Sequence, residues 1–319
     1  VVGTGAGGGT LAAYLADRGW DVVMVEKGGF FRAEEFSQRE EEAMADFNGR
    51  RGLDSTVDNA IFLNYAEAVG GSTVHYWGDS FRTPTDRLER WRREHGLEWM
   101  TESELNPHWE AIEAELGIHI TPEHLFNENN RLVREGCDRL GIEGHAPPTA
   151  RIDCVGCGWT QFGCPYNRKT SQLITTVPRV SKSGGRIYSD ARVTRIVVEG
   201  GRATGVEVRR GSGTVQVSAR REIALCGGAI NSPQLLQLSG VGDPQTLKAA
   251  GVESGDRVAS ILYNCAEQAV GWFGALKAGA VWTTLNAGLT GEDLVNGLTD
   301  ARAGILIVEP ETWARVAPL

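Results

Sequence analysis

Apolar and polar positions divide this chain into stretches of different period. Thr10 to Gly19 carries Leu11, Ala12, Leu15 and Ala16 at helical spacing and stops at a glycine, which predicts an amphipathic helix. Asp21 then leads into the unbroken apolar run Val22-Val23-Met24-Val25, the pattern of a strand buried on both faces in a parallel sheet, and the run ends in Glu26. Later the period shortens to two. Gly185 to Tyr188, Ala191 to Val198 and Ala203 to Val208 read as strands, the last two joined by a Glu199-Gly200-Gly201 turn. Between them and the first strand lies a polar, charged region from about 83 to 150, with a helical pattern from Glu104 to Leu116.

The residues in front of the first helix supply candidate chemistry. Val1 to Thr10 places Gly3, Gly5 and Gly8 in a G-x-G-x-x-G frame. The first glycine permits a tight turn, the second lets backbone approach a pyrophosphate, and the third lets the helix pack closely on a sheet. The pyrophosphate then meets the free N–H groups and positive dipole end of the helix. Glu26 falls 18 residues beyond Gly8, where an acid accepts hydrogen bonds from adenosine ribose hydroxyls. Glycines, helix, strand and terminal acid together predict a dinucleotide site. With no strand visible ahead of the glycines and no initiator Met, the reading also predicts a start further upstream.

Composition narrows the function classes. A chain of 319 residues holds one large or two ordinary domains with ample core. Its 32 basic and 41 acidic residues, net −9, argue against a nucleic-acid surface. The longest apolar stretch, Ala269 to Leu285, is short for a membrane span and is interrupted by Lys277 and three glycines. No signal peptide is visible, an absence that says little about export where the start looks cut; the cytoplasm is favoured and no compartment is fixed.

Two further landmarks decide between dinucleotides. Ala68-Val69-Gly70-Gly71-Ser72-Thr73-Val74-His75-Tyr76-Trp77, followed by Arg82, resembles the second glycine motif of the glucose-methanol-choline (GMC) oxidoreductases, and Glu222 to Gly242 resembles that family's second signature. The resemblance covers residues 1 to about 252. It implies an α/β fold with a Rossmann-like FAD-binding domain at 1–252, a cap or substrate segment inserted at 83–180, and, within Glu222 to Gly242, a strand returning to the nucleotide sheet and feeding a helix. It implies FAD as cofactor, with Gly70, Gly71, Ser72 and His75 beside the flavin and pyrophosphate, Val193 touching adenine through its backbone, and Gly228 joining the cofactor-binding residues. His75 stands where some members bind flavin covalently; the alternative is a histidine that packs or hydrogen-bonds beside it. The implied reaction is oxidation of a small alcohol or sugar-type substrate, with an electron acceptor that the sequence does not specify. The family's base, a histidine paired with His or Asn late in the chain, has no counterpart, because no histidine follows His145.

Cys154-x-x-Cys157 and Cys164 form a cluster that resembles a cysteine-rich loop of some of these flavoproteins. Three thiolates at that spacing are candidates for an iron–sulfur or zinc site; Thr160 replaces a fourth ligand, and a disulfide or packed loop is the favoured reading. His95, His108, His119, His124 and His145 read as solvated or capping residues, and Trp91, Trp99 and Trp109 as core.

The last stretch changes character. Gly251 to Ala259, Asn264 to Glu267, Trp272 to Val281 and Leu285-Asn286 resemble the N-terminal part of an AMP-forming acyl-CoA synthetase, implying a partial α/β subdomain over 253–319. A turn at Gly255-Asp256, a helix over Ala266 to Ala278, a strand over Ala280 to Thr284 and further alternation through Leu294 to Leu298 and Gly304 to Val308 are expected. The Ser/Thr/Gly-rich ATP loop of that superfamily is missing. Leu247 to Val252 fits both families, and the chain therefore reads as a chimera or joined fragment, with a natural bifunctional protein as the alternative.

Overall fold

The computed structural model describes residues 1–56, 60–239, 241, 257–261, 281–284, 291–301, 305–308 and 316. The chain divides into two compact units, Val1–Gly52 with Tyr65–Asp190 and Leu53–Asn64 with Ala191–Leu319. In the first unit the elements are α1 (Ala6–Ala16), β1 (Val23–Val25), α2 (Glu40–Asp46), α3 (Thr85–His95), α4 (Glu102–Leu116), β2 (His119–Ile120), α5 (Glu128–Leu140), β3 (Pro148–Thr149), α6 (Thr176–Lys182) and β4 (Arg186–Tyr188).

Residues ahead of the fingerprint turn make an isolated β-bridge. Val2 bridges Val25 in parallel, the Gly3 N–H donates to the Val25 carbonyl at 2.8 Å, and the Val25 N–H donates to the Val1 carbonyl at 3.0 Å. β1 pairs in parallel with β4, from Val23 opposite Arg186 to Val25 opposite Tyr188. Helix α1 begins at Ala6, four residues before the apolar periodicity suggests. Its first turn is glycine, which carries no hydrophobic signal yet packs: Gly8, Gly9, Ala12, Ala13 and Ala16 are all buried. The small residues let α1 lie close to β1 and α6, forming a core with Val22, Met24 and Val180. A second core gathers Phe36, Phe47, Ala68, Val69, Val74, Leu173 and Val177.

The region expected as a cap packs into this same unit. Thr101 caps α4 by accepting from the Glu104 N–H at 3.2 Å, and an Asn127–Asn130 capping box starts α5. Arg179 ties α4 to α1 by donating to Glu115 and Asp17 at 2.6 Å each. Trp91 and Trp99 are 37% and 59% exposed, so the expectation that they fill a core is corrected. Trp91 stands among the charged residues of α3, whose buried side is held by Leu88, Trp99 lies in the turn between α3 and α4, and Trp109 instead lies beneath the Arg82 guanidinium, 5.6 Å from its ring centre.

In the second unit β5 (Arg192–Glu199), β6 (Arg202–Arg210) and β7 (Gly213–Ser218) form an antiparallel meander around the expected Gly200-Gly201 turn. The third strand was not anticipated. Helix α7 (Gly228–Leu238) lies within the second signature; ahead of it in that segment, pairing is a β-bridge at Leu225 and not an extended strand. Further on, β8 (Arg257–Ile261), β9 (Val281–Thr284), α8 (Gly291–Ala301) and β10 (Ile305–Val308) form a parallel sheet in the order β10-β8-β9. Leu294, Val316, Leu298, Leu306 and Val308 pack together there. The expected turn at 255–256, the helix over 266–278, the shared wording at 247–252 and Cys265 lie outside the described residues. Among the described residues no helix is long and apolar enough to cross a membrane.

Candidate cofactor site

The fingerprint turn is braced by side chains as well as by glycine. Thr4, in the variable position between Gly3 and Gly5, is fully buried. Its N–H and Oγ1 donate to Glu26 Oε2 at 2.9 and 2.8 Å, while its Oγ1 accepts from the Gly70 N–H at 2.9 Å. Glu26 Oε1 accepts from the Gly28 N–H at 3.0 Å. One hydroxyl thus joins the acid at the end of β1 to the second glycine motif. Because each carboxylate oxygen accepts about two hydrogen bonds, these three donors leave Glu26 one further acceptor position, on Oε1.

The two glycine segments meet backbone to backbone. Gly71 has φ +56° and a Cβ built on it would lie 2.6 Å from Gly5 Cα. Directly behind that contact is the N-terminus of α1, whose first turn contains no acid and whose N-cap, Gly5, has no side-chain cap. Ala6 and Gly7 are exposed, so unsatisfied N–H groups and the positive helix end are open to an anion. Gln172 supports the other side of the turn. Its Nε2 donates to Thr10 at 3.4 Å, its Oε1 accepts from Thr176, and its N–H donates to Thr73 Oγ1 at 3.0 Å. A Cβ at Gly9 would collide with Gln172 Oε1 at 2.4 Å.

His75 is buried, with Phe47 edge-on at 5.9 Å and Phe162 at 6.1 Å between ring centres. Its Nε2 lies 3.2 Å from Asn48 Nδ2. Burial lowers its pKa, opposed by the Gln161 backbone and assisted by the Lys169 charge. A neutral ring accepting from Asn48 at Nε2 satisfies this geometry. Beside it, burial raises the Tyr76 hydroxyl above its usual pKa. Ser72 Oγ accepts from the Ala66 N–H at 3.1 Å, closing the loop onto its own approach strand.

A family model described as GMC oxidoreductase matches residues 7–270. The chain belongs to this family. GMC oxidoreductases are FAD-dependent enzymes, and the uncapped helix end facing Gly71 fits the pyrophosphate of that cofactor. This GMC chain is 35% identical over 246 residues to an uncharacterised GMC-type oxidoreductase of Mycobacterium tuberculosis, covering 76% of this chain and 39% of that protein. It is 31% identical to a long-chain-alcohol oxidase of Arabidopsis thaliana, covering 62% and 26%. Its fold matches the crystal structure of pyridoxine 4-oxidase from Mesorbium loti with a TM-score of 0.56 and 25% identity, over 79% of this chain and 53% of the other. The chain therefore spans about two-fifths or less of the two curated relatives. A second model, described as AMP-binding enzyme, matches residues 245–318 and overlaps the first over 245–270.

The first unit of this GMC chain gathers Gly3, Gly5, Gly8, Glu26, Gly70, Gly71, Ser72 and His75. Val193 and Gly228 belong to the second unit: Val193 pairs with Val208 in the meander, and Gly228 opens α7 with φ +84°. Cys154, Cys157 and Cys164 are half-buried free thiols, and among the described residues no group of three or more His, Cys, Asp or Glu side chains could hold a metal ion. The five later histidines are all exposed. Sequence reasoning missed Thr4, Lys169, Gln172 and Thr176, which are buried and polar. The sequence signal for Lys169 and Gln172 is the run Lys169-Thr-Ser-Gln, polar throughout yet adjoining Leu173-Ile174.

Proposed function

We propose that this chain is the cofactor-binding part of an FAD-dependent oxidoreductase acting on CH–OH groups of an alcohol or sugar-type substrate. The observation that carries the reading is the contact of Gly5 and Gly71 at the open N-terminus of α1. Helix N–H groups there hold the pyrophosphate, and the free Oε1 position of Glu26 accepts a ribose hydroxyl. Gly70, Gly71, Ser72 and His75 carry backbone from the phosphates along the remainder of the cofactor. Bound flavin supplies a hydride acceptor at N5 for the carbinol carbon.

Proton removal from the hydroxyl needs a base. His75 has its Nε2 engaged by Asn48 and its pKa lowered, and the remaining histidines are exposed along the 95–145 region. The reading for this chain by itself is therefore cofactor binding without turnover, the flavin being held noncovalently. Residues 253–319 read as part of an acyl-CoA-synthetase-like subdomain joined to it, supported by the AMP-binding match and the β10-β8-β9 sheet. Reconstituting the purified chain with FAD and recording its visible spectrum tests this. A yellow complex is expected that releases its flavin on acid precipitation and does not bleach with alcohols. Absence of bound flavin would refute the cofactor reading; bleaching would refute the absence of turnover.

A further inference from the structure

Lys169 is 2% exposed and lies between two loops. Its Nζ donates to the carbonyls of Val74 at 2.6 Å and Tyr76 at 3.0 Å, which flank His75, and to the Thr160 carbonyl at 2.5 Å in the cysteine-rich loop. Three acceptors match the three N–H bonds of an ammonium group. Its nitrogen also sits 5.3 Å from the Tyr76 ring centre. Burial pushes its pKa down to about 7, with Cys164 acting in the opposite direction and Arg151 adding to the fall. Carbonyl dipoles and the Tyr76 ring surround this buried cation, an expensive arrangement that a chain seeking only to tie two loops could replace with an apolar contact.

The position of the tie says what it serves. Glu26 marks the adenosine side of the site, and Gly5 with Gly71 marks the pyrophosphate, so backbone running on from Gly71 through Ser72 to Tyr76 leads past the phosphates. We propose that Lys169 is a positioning residue for the flavin half of FAD: by gathering the Val74, Tyr76 and Thr160 carbonyls, it fixes the loop that the isoalloxazine lies against. This rests on the cofactor reading above. Removing the ammonium frees three carbonyls and loosens residues 72–77, while the Thr4–Glu26–Gly70 brace and the end of α1 keep their own bonds. The ADP portion is then held as before, and the flavin portion loses its wall.

The test compares ADP and FAD on the full chain and on Lys169→Met by calorimetry and by the visible spectrum of bound flavin. Expected for the variant are ADP affinity unchanged within about twofold, FAD affinity reduced about tenfold or more, and a shifted flavin band in what complex forms. Equal losses for ADP and FAD, or FAD binding as in the original chain, would overturn the proposal. If the original chain binds neither ligand, the cofactor reading itself fails and this inference goes with it. Should Lys169→Met not fold, amide hydrogen exchange on the original chain decides: FAD but not ADP is expected to protect 72–77 and 158–164, and equal protection by both would overturn it.

Discussion

Two regions of the first unit are comparably polar in sequence and opposite in physical state. Around the glycine motifs, Thr4, Glu26, Lys169, Thr170, Ser171, Gln172 and Thr176 are all buried, and their hydrogen bonds join segments up to 162 residues apart. Across α3 to α5, Arg90, Arg131, Arg134 and their carboxylate partners are exposed and mostly pair within one or two turns of a helix or its neighbour. Burying a polar group is unfavourable unless each donor and acceptor is met, so the first network fixes geometry. The second lies in water, where screening leaves it little influence.

Substitutions test the contrast in descending order. Gly71→Val is expected to have the largest effect, because its Cβ falls 2.6 Å from Gly5 Cα in a left-handed conformation. Overpacking and strain of this kind destabilise by about 1–3 kcal/mol, and calorimetry should show ADP and FAD binding lost by about a hundredfold or more. Next comes Glu26→Gln, which points an amide NH2 or a weaker acceptor at the donors of Thr4 and Gly28. Hydrogen bonds to a charged group contribute about 1.5–3 kcal/mol, and chemical denaturation should record a loss of that order.

A smaller effect depends on pH. Burial holds the folded pKa of His75 below the ordinary imidazole value of about 6.5, so in the window beneath that value the unfolded chain binds more protons than the folded one. Stability is then expected to fall as pH drops through that window, and His75→Gln should flatten the decline in urea midpoints. Arg131→Ala removes an exposed pair with Glu128 and is expected to leave both the midpoint and FAD affinity unchanged. A large loss there would erase the distinction between the two regions.

How much of this was legible depended on whether a residue's chemistry has a sequence period. Glycine spacing, the apolar run of β1 and the alternation of β5 and β6 announce themselves, because helix and strand repeats are local properties. The β-bridge of Val2 was not legible: its evidence is pairing with Val25, more than twenty residues away. Thr4 and Lys169 were missed for a similar reason. Nothing in their neighbours reveals that Gly70 or Thr160 will arrive to satisfy them. The tryptophans failed in the other direction, since Trp91 and Trp99 have core-like chemistry but stand among charged residues and are exposed.

The central claim is that the Gly5–Gly71 contact at the end of α1 is the pyrophosphate seat of FAD. Titration of ADP into the original chain and into Gly71→Val, with circular dichroism confirming that the variant keeps its helices, measures this most directly. Binding by the original chain and its loss in the folded variant is the expected result; ADP bound equally by both, or by neither, would contradict the account.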